Sequence, residues 1–301
     1  MRRRSILASE GVQLKHDEYR LLRELFRERF GIHFADDSRF SVERRLRERL
    51  VVRGHQSFAE YHDFLKFRPL AQDEWAEIAE VLTVHETYFF REDYQLTAFK
   101  DEVLPELRER AKARKRITIW SAGCSTGEEV YTIAMLVHES MLFDGWEVRV
   151  YGSDLSKRCV AAARRGLYGP NSFRTTREDI KRKYFRQTDG GWLVSDEIRS
   201  MCHFSQMNLL DSERTHLVGR VDAIFCRNVL IYFDSEARKR VIDMFQERLA
   251  PGGVLLLGHS ESLLNVSTAF ELLHLKGDLV YKKPLNHMTP FSPPSSGSGG
   301  L

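Results

Sequence analysis

From residue 14 to 84 the apolar positions recur at helical spacing. Tyr19, Leu22, Phe26 and Phe30 form one stripe, and Gly31 follows where a left-handed cap would end the helix. Leu46 and Leu50 turn inward on a second helix whose other positions are crowded with arginine. Ser57 and Glu60 make a capping-box pattern ahead of Tyr61, Phe64 and Leu65. Trp75, Ile78, Ala79 and Leu82 complete a fourth stripe. The pattern predicts a small all-α domain over 14–84.

The period changes after about residue 85. Ile117–Trp120 is a short β-type run that ends in a Gly/Ser turn, with a helix expected from Glu128 to about Met141. Val148–Tyr151 is a second strand, ending at Asp154 and followed by a helix over Lys157–Arg165. Val221–Cys226 and Val254–Leu257 repeat the strand pattern around a helix from Ser235 to Leu249. This alternation predicts an α/β fold with a doubly wound, mostly parallel sheet. Ligands of such sheets bind beyond the carboxyl ends of the strands. Those ends carry Ser121-Ala122-Gly123, Asp154, Asn208 and Arg227-Asn228.

The runs Phe270–Lys276 and Asp278–Lys282 read as a closing antiparallel pair, and 183–207 as a small β excursion. Residues 85–100 would then link the helical domain to an α/β domain over 101–284. After Pro284 the chain turns to Pro, Ser and Gly, so 285–301 reads as a disordered tail.

Composition narrows the class. The 301 residues are 42% hydrophobic and 30% charged, as in an ordinary globular protein. No apolar run approaches a membrane span, and Ile6-Leu7-Ala8 behind Arg2, Arg3 and Arg4 is too short for a signal-peptide core. A cytoplasmic location is therefore expected, without membrane insertion. Cys124, Cys159, Cys202 and Cys226 are scattered, with no CxxC pair, so neither disulfides nor a metal site is expected. The net charge of +3 is too small to mark a nucleic-acid binder. Locally, however, Arg39, Arg44, Arg45, Arg47, Arg49 and Arg53 face only Glu43 and Glu48. That stretch is either a landing surface for something acidic or a solvated amphipathic helix.

The turn from Ser121 to Glu129 lacks both the GxGxxG fingerprint and the GK[ST] ending of a P-loop. Its glycines admit a ligand close to backbone, and its acidic helix start suits a cation such as the sulfonium and ammonium of S-adenosylmethionine. The rival reading is a capping box, Thr126 with Glu129 or Ser125 with Glu128. Asp154 stands where a carboxylate can accept from both ribose hydroxyls, or where it caps the next helix.

Six strings then bear on family: His85-Glu-Thr-Tyr-Phe-Phe-Arg-Glu92, Trp120 to Glu129, Gly152 to Ser156, Asn208-Leu209-Leu210, Phe225 to Asp234, and Gly258-His-Ser-Glu-Ser262. In order and spacing they resemble the chemotaxis receptor methyltransferase (CheR-type) family over residues 14–283. The resemblance implies a class I, Rossmann-like methyltransferase sheet. It further implies transfer of methyl from S-adenosylmethionine to glutamate side chains of methyl-accepting chemotaxis receptors, giving methyl esters. By position it implies cofactor contacts from Thr87, Arg91, Glu129, Asp154, Asn208, Leu209, Arg227 and Asn228, with Tyr232 and Arg91 beside the transferred methyl group. His85 occupies a cofactor position where the family most often has Asn. Arg44, Arg45, Arg49 and Arg53 would meet the acidic methylation helices of the receptor's cytoplasmic domain.

Plain roles compete with these. Tyr88, Phe89 and Phe90 suit an interdomain core, and His259 a structural position. A nucleic-acid methyltransferase would need an Asn/Asp-Pro-Pro-Tyr/Phe motif, whereas this chain reads Arg227-Asn-Val-Leu-Ile-Tyr232. A non-catalytic S-adenosylmethionine-binding signalling module is the other alternative. The enzyme is expected to be a monomer with no nucleic-acid partner. The short stretch from Arg186 to Val194 suggests receptor recognition without a C-terminal peptide tether.

Overall fold

The computed structural model describes residues 12–285. Arg2, Arg3 and Arg4, and residues 286–301 of the expected tail, lie outside them. Four helices come first. In α1 (His16–Phe30) Asp17 and Glu18 open the first turn, Arg27 and Arg29 close the last, and Gly31 caps the end at φ 71°. Its stripe packs against α2 (Arg39–Val52), α3 (Phe58–Phe67) and α4 (Gln72–Leu82) in one core containing Phe26, Leu46, Tyr61 and Ile78. Ser57 caps α3 by accepting from the Glu60 amide, while the Glu60 carboxylate takes the amide of Gln56 (2.8 Å), one residue ahead of the usual partner.

Next, α5 (Asp93–Ala98) runs through a π-helical turn, Phe99–Val103, into α6 (Leu104–Ala111). The α/β part follows with β1 (Arg116–Ala122), α7 (Glu128–Glu139), β2 (Glu147–Asp154) and α8 (Lys157–Arg165). After β3 (Leu167–Tyr168) come α9 (Glu178–Tyr184), β4 (Phe185–Thr188), β5 (Gly191–Val194) and α10 (Asp196–Ser200). The chain continues through β6 (Cys202–Gln206), α11 (Ser212–His216), β7 (Val221–Cys226) and α12 (Ser235–Arg248). It closes with β8 (Leu249–Leu257), β9 (Glu271–His274) and β10 (Leu279–Lys282).

The main sheet has the order β6-β2-β1-β7-β8-β10-β9, parallel from β6 to β8, with β10 antiparallel to both of its neighbours. Every residue of β7 is buried, as expected for a strand covered on both faces. The order reverses beside β1, so the crevice between β1 and β7 is the topological switch point.

Two expectations are corrected. Residues 202–206 do not belong to the β excursion. They pair with Val150–Asp154 as the edge of the main sheet, and the partner lies about fifty residues away, where periodicity cannot see it. The excursion is a separate three-stranded sheet, β3-β5-β4, which recruits Leu167 and Tyr168. Phe89, expected between the domains, is fully buried in the α/β core against Tyr168, Phe173 and Phe185, with ring centroids 4.8–5.1 Å away.

The helical and α/β parts meet through backbone. Ile32 bridges Phe233, the His33 amide donates to Tyr232 O (2.8 Å) and the Asp234 amide to Gly31 O (3.2 Å). Glu80 on α4 accepts from Ser156 Oγ (2.5 Å) and the Arg158 amide (3.0 Å).

Candidate functional site

A cavity of about 440 Å³ opens at the switch point and continues between the two domains. Its floor is the β1–α7 turn. Gly123 and Cys124 donate their amides to Ser153 O (2.8 and 2.9 Å), and the Ser125 amide donates to Asp154 Oδ2 (2.8 Å). Gly123 sits at φ 83°, and a Cβ there would come within 2.4 Å of Val229 Cγ2, so both backbone and space require glycine.

Neither capping box forms. The N-cap of α7 is Gly127, which has no side chain to offer. Thr126 Oγ1 donates to Glu128 Oε2 (2.6 Å) and Ser172 Oγ to Glu128 Oε1 (2.9 Å), which turns Glu128 inward. Burial pushes the Glu128 carboxyl above its usual range. Glu129 instead lines the cavity, accepting from Ser121 Oγ (2.7 Å).

Asp154 is not the helix cap either. Ser156 fills that role by accepting from the Cys159 amide (2.9 Å). Asp154 accepts one amide on each oxygen, Ser156 on Oδ1 (2.9 Å) and Ser125 on Oδ2 (2.8 Å). A carboxylate has about four acceptor sites, so each oxygen can take a further donor. Burial raises its pKa, against the pull of those amides and of His85.

His85 joins the same wall. Thr83 Oγ1 donates to Ala79 O (2.6 Å), so it accepts from His85 Nε2 (3.1 Å) and fixes the proton on that nitrogen. The His85 carbonyl accepts from Ser125 Oγ (3.0 Å). His85, Asp154 and Cys159 bring one ligand atom each within 4.8 Å of one another, a proximity hidden by the scattered cysteine positions.

Arg227 is buried and compensated. It pairs with Glu129 Oε2 (3.1 Å) and Glu92 Oε2 (2.9 Å) and donates to Arg91 O (2.6 Å). Its charge is thus not free to hold an anion, although it lines the cavity. Burial pushes the Glu92 carboxyl up, but Arg227 and His259 outweigh it and leave the pKa lowered. His259, expected at a structural position, lies 3.1 Å from Glu92. Asn208 also lines the cavity, but its amide nitrogen donates to Arg29 O (2.8 Å) across the domain junction and its oxygen accepts from the Leu210 amide (3.0 Å). Thr87, Leu209 and Asn228 line the same cavity, Asn228 in the left-handed region at φ 60°.

The same cavity is also lined by Tyr232, Arg91, Arg45, Ser38, Ser41 and His33. Tyr232 closes a 3-10 turn, Leu230–Tyr232, and is half-buried. Burial raises its phenol pKa against the nearby Arg91 and Arg45, so the hydroxyl is protonated at neutral pH. Arg91 donates to Glu86 O (3.1 Å) and is otherwise turned to the cavity.

The four arginines expected to meet a substrate divide. Arg45 lines the cavity, anchored by donation to Leu82 O (2.7 Å), and Arg44 is exposed on the helix surface. Arg49 and Arg53 are committed elsewhere. Arg49 grips Glu74 with two bonds (2.9 and 2.6 Å), and Arg53 joins the same fully buried carboxylate. Sequence spacing gave no sign of this, because Glu74 comes from another helix. It also missed Glu92 and Glu261, whose partners are distant or are backbone amides; only their place in quoted strings marked them.

Among the described residues no helix is long and apolar enough to cross a membrane. Residues 17–83 match the family model described as CheR methyltransferase, all-alpha domain, and residues 85–278 that described as CheR methyltransferase, SAM binding domain. The chain is 36% identical over 264 residues to chemotaxis protein methyltransferase 2 of Vibrio cholerae, covering 87% of this chain and 91% of that one. It is 33% identical to the chemotaxis protein methyltransferase of Borreliella burgdorferi, covering 84% and 90%, and 32% identical to that of Escherichia coli, covering 91% and 93%.

Proposed function

The chain belongs to the CheR methyltransferase family, with S-adenosylmethionine as its cofactor, and we propose that it methylates glutamate side chains of methyl-accepting chemotaxis receptors. The observation that carries this reading is one cavity lined both by the Gly123–Asp154 wall and by Tyr232 with Arg91 and Arg45, whose charges reach its phenol.

The residues present fit the cofactor. Asp154 offers free acceptor positions to two ribose hydroxyls, Glu129 offers a carboxylate to an ammonium group, and glycine at 123 leaves room beside the turn. When bound, S-adenosylmethionine supplies a methyl group made electrophilic by its sulfonium. The substrate glutamate needs no strong base, since a typical carboxyl with pKa about 4.3 is ionised at neutral pH. The protein therefore has to align and to exclude water. Arg45 and Arg91 present two positive groups to the incoming carboxylate, and the protonated Tyr232 hydroxyl can donate to it. Too firm a grip would stabilise the ground state, so two separate arginines, each already bonded to a backbone carbonyl, suit the task better than one bidentate clamp on the substrate.

Arg44, exposed one position before Arg45, extends the positive surface outward toward an acidic helix. Recognition through this surface would need no peptide tether. In the excursion, Gly191 lies with its Cβ position 2.5 Å from Tyr168 O, so the room it provides is already filled by β3. Titrating a receptor C-terminal pentapeptide tests that point, and micromolar binding would contradict it. The activity itself is tested by incubating the protein with labelled methyl donor and receptor cytoplasmic fragments from the same host. Base-labile label on the receptor identifies a glutamyl methyl ester; label that survives base, or none, overturns the reading.

A further inference from the structure

We propose that Glu261 is a positioning residue for the reaction, acting as an internal anion that holds the segment from Asn228 to Tyr232 in place. This rests on the reading of Tyr232 as the residue beside the transferred methyl group.

The segment after β7 is irregular. Its amides at 228, 229 and 231 belong to no ladder of the sheet, and as backbone donors they need an acceptor outside it. Glu261 supplies it. Oε2 accepts from the amides of Asn228 (2.8 Å) and Gly258 (2.8 Å), and Oε1 from those of Val229 (2.9 Å) and Ile231 (3.2 Å). Four amides thus converge on one carboxylate, three of them from the segment that carries Tyr232. The arrangement depends on glycine at 258, where a Cβ would stand 2.9 Å from both the Asn228 amide nitrogen and Glu261 Oε2.

The opposite side of the segment is held by the helical domain, through the His33 amide on Tyr232 O (2.8 Å). Between these two attachments, the left-handed Asn228 directs the chain back over Gly123, so that Val229 closes on the turn. Glu261 does not line the cavity, unlike Asn228, Val229, Ile231 and Tyr232. Its influence on the reaction therefore passes through the backbone it holds. Glutamine would keep the shape but not the charge, and one of its two ends would be an amide donor facing amide donors.

The test is a double-mutant cycle on the full chain, assayed with S-adenosylmethionine and receptor fragments, with S-adenosylhomocysteine affinity measured by calorimetry. Glu261→Gln should lower kcat by roughly ten- to a hundredfold, the scale of an ångström of misplacement, and by more than it weakens cofactor affinity, which falls only through Asn228 of the same segment. In a Tyr232→Phe background the same change should cost less than about threefold, because the hydroxyl being positioned is gone. Full kcat in Glu261→Gln overturns the proposal. So does an equal loss in both backgrounds when Tyr232→Phe is itself slow, which would leave the role of Tyr232 standing. Wild-type turnover in Tyr232→Phe overturns the role of Tyr232, and the positioning role with it. If Glu261→Gln does not fold, Glu261→Asp, which keeps the charge at shorter reach, is put through the same cycle, and the same outcomes support or overturn the proposal.

Discussion

Asp154 shows how one side chain can be prepared for a ligand by its neighbours. An amide on each oxygen fixes the carboxylate plane and leaves each oxygen able to take a further donor, and Asp154 lines the cavity. Asp154→Ala should weaken S-adenosylhomocysteine binding by about a hundredfold, roughly 3 kcal/mol, since two donors would lose a charged acceptor. Calorimetry showing unchanged affinity would remove Asp154 from the site. Because burial raises its pKa, protonation sets in at a higher pH than for an ordinary aspartate. Affinity should accordingly fall on acidification while exposed aspartates are still ionised. At this scale the sequence reads well where a residue is marked by its own chemistry, as Asp154 and Tyr232 are, and both line the cavity. It reads poorly where a residue acts by holding another. Arg227 looked like a cofactor contact in its string, yet its partners Glu92 and Glu129 stand 135 and 98 positions away.

The second helix, α2, carries arginines of two kinds, those open to the cavity or solvent and those paired with Glu74. Its arginine-rich pattern was legible, but which arginines face solvent depends on α4, whose Glu74 draws Arg49 and Arg53 inward. Reversing the charge of Arg44 and Arg45 should raise the Michaelis constant for receptor, and added salt should raise it for the wild type, with little change in melting temperature. A receptor affinity indifferent to salt would count against the electrostatic reading. Arg49→Glu should instead destabilise the fold by about 3 kcal/mol or more, because it breaks a buried ion pair and leaves like charges together. Burial pushes the Glu74 carboxyl up, but the bonds from Arg49, Tyr61 and Arg53 bring it below its usual range. A lowered carboxyl stabilises the fold above its unfolded pKa, and that contribution is lost as pH falls through the folded value. A stability loss that begins as pH falls through the ordinary carboxyl range, continues to the lower folded value, and is absent in Glu74→Gln is the expected signature. The β excursion teaches the same lesson for strands: local alternation found β4 and β5 but could not assign 202–206 to β2.

Across the whole molecule, the cavity runs from the switch point into the junction of the two domains, so its geometry depends in part on how closely they dock. Gly31 sits at that junction. It caps α1 at φ 71°, and its Cβ position lies 2.8 Å from both Ala237 Cβ and Leu210 Cδ1 of the α/β domain. The sequence marked it as a helix terminator, but could not show that the missing side chain also lets the domains close. Gly54 offers a matched control, since it too is left-handed, at φ 76°, with nothing within 4 Å of its Cβ position. An alanine at either site incurs the same kind of backbone strain, about 1 kcal/mol. At Gly54 that should be the whole effect, with turnover unchanged. At Gly31 the added methyl must also push apart a junction whose next residues bridge Phe233 and donate to Tyr232 O. Gly31→Ala should therefore cost more stability than Gly54→Ala and lower kcat as well, because Tyr232 moves with the displaced segment. Melting curves and turnover for the two variants decide the matter. Equal losses would mean that Gly31 matters only as a cap, and that domain closure tolerates a methyl group at its centre.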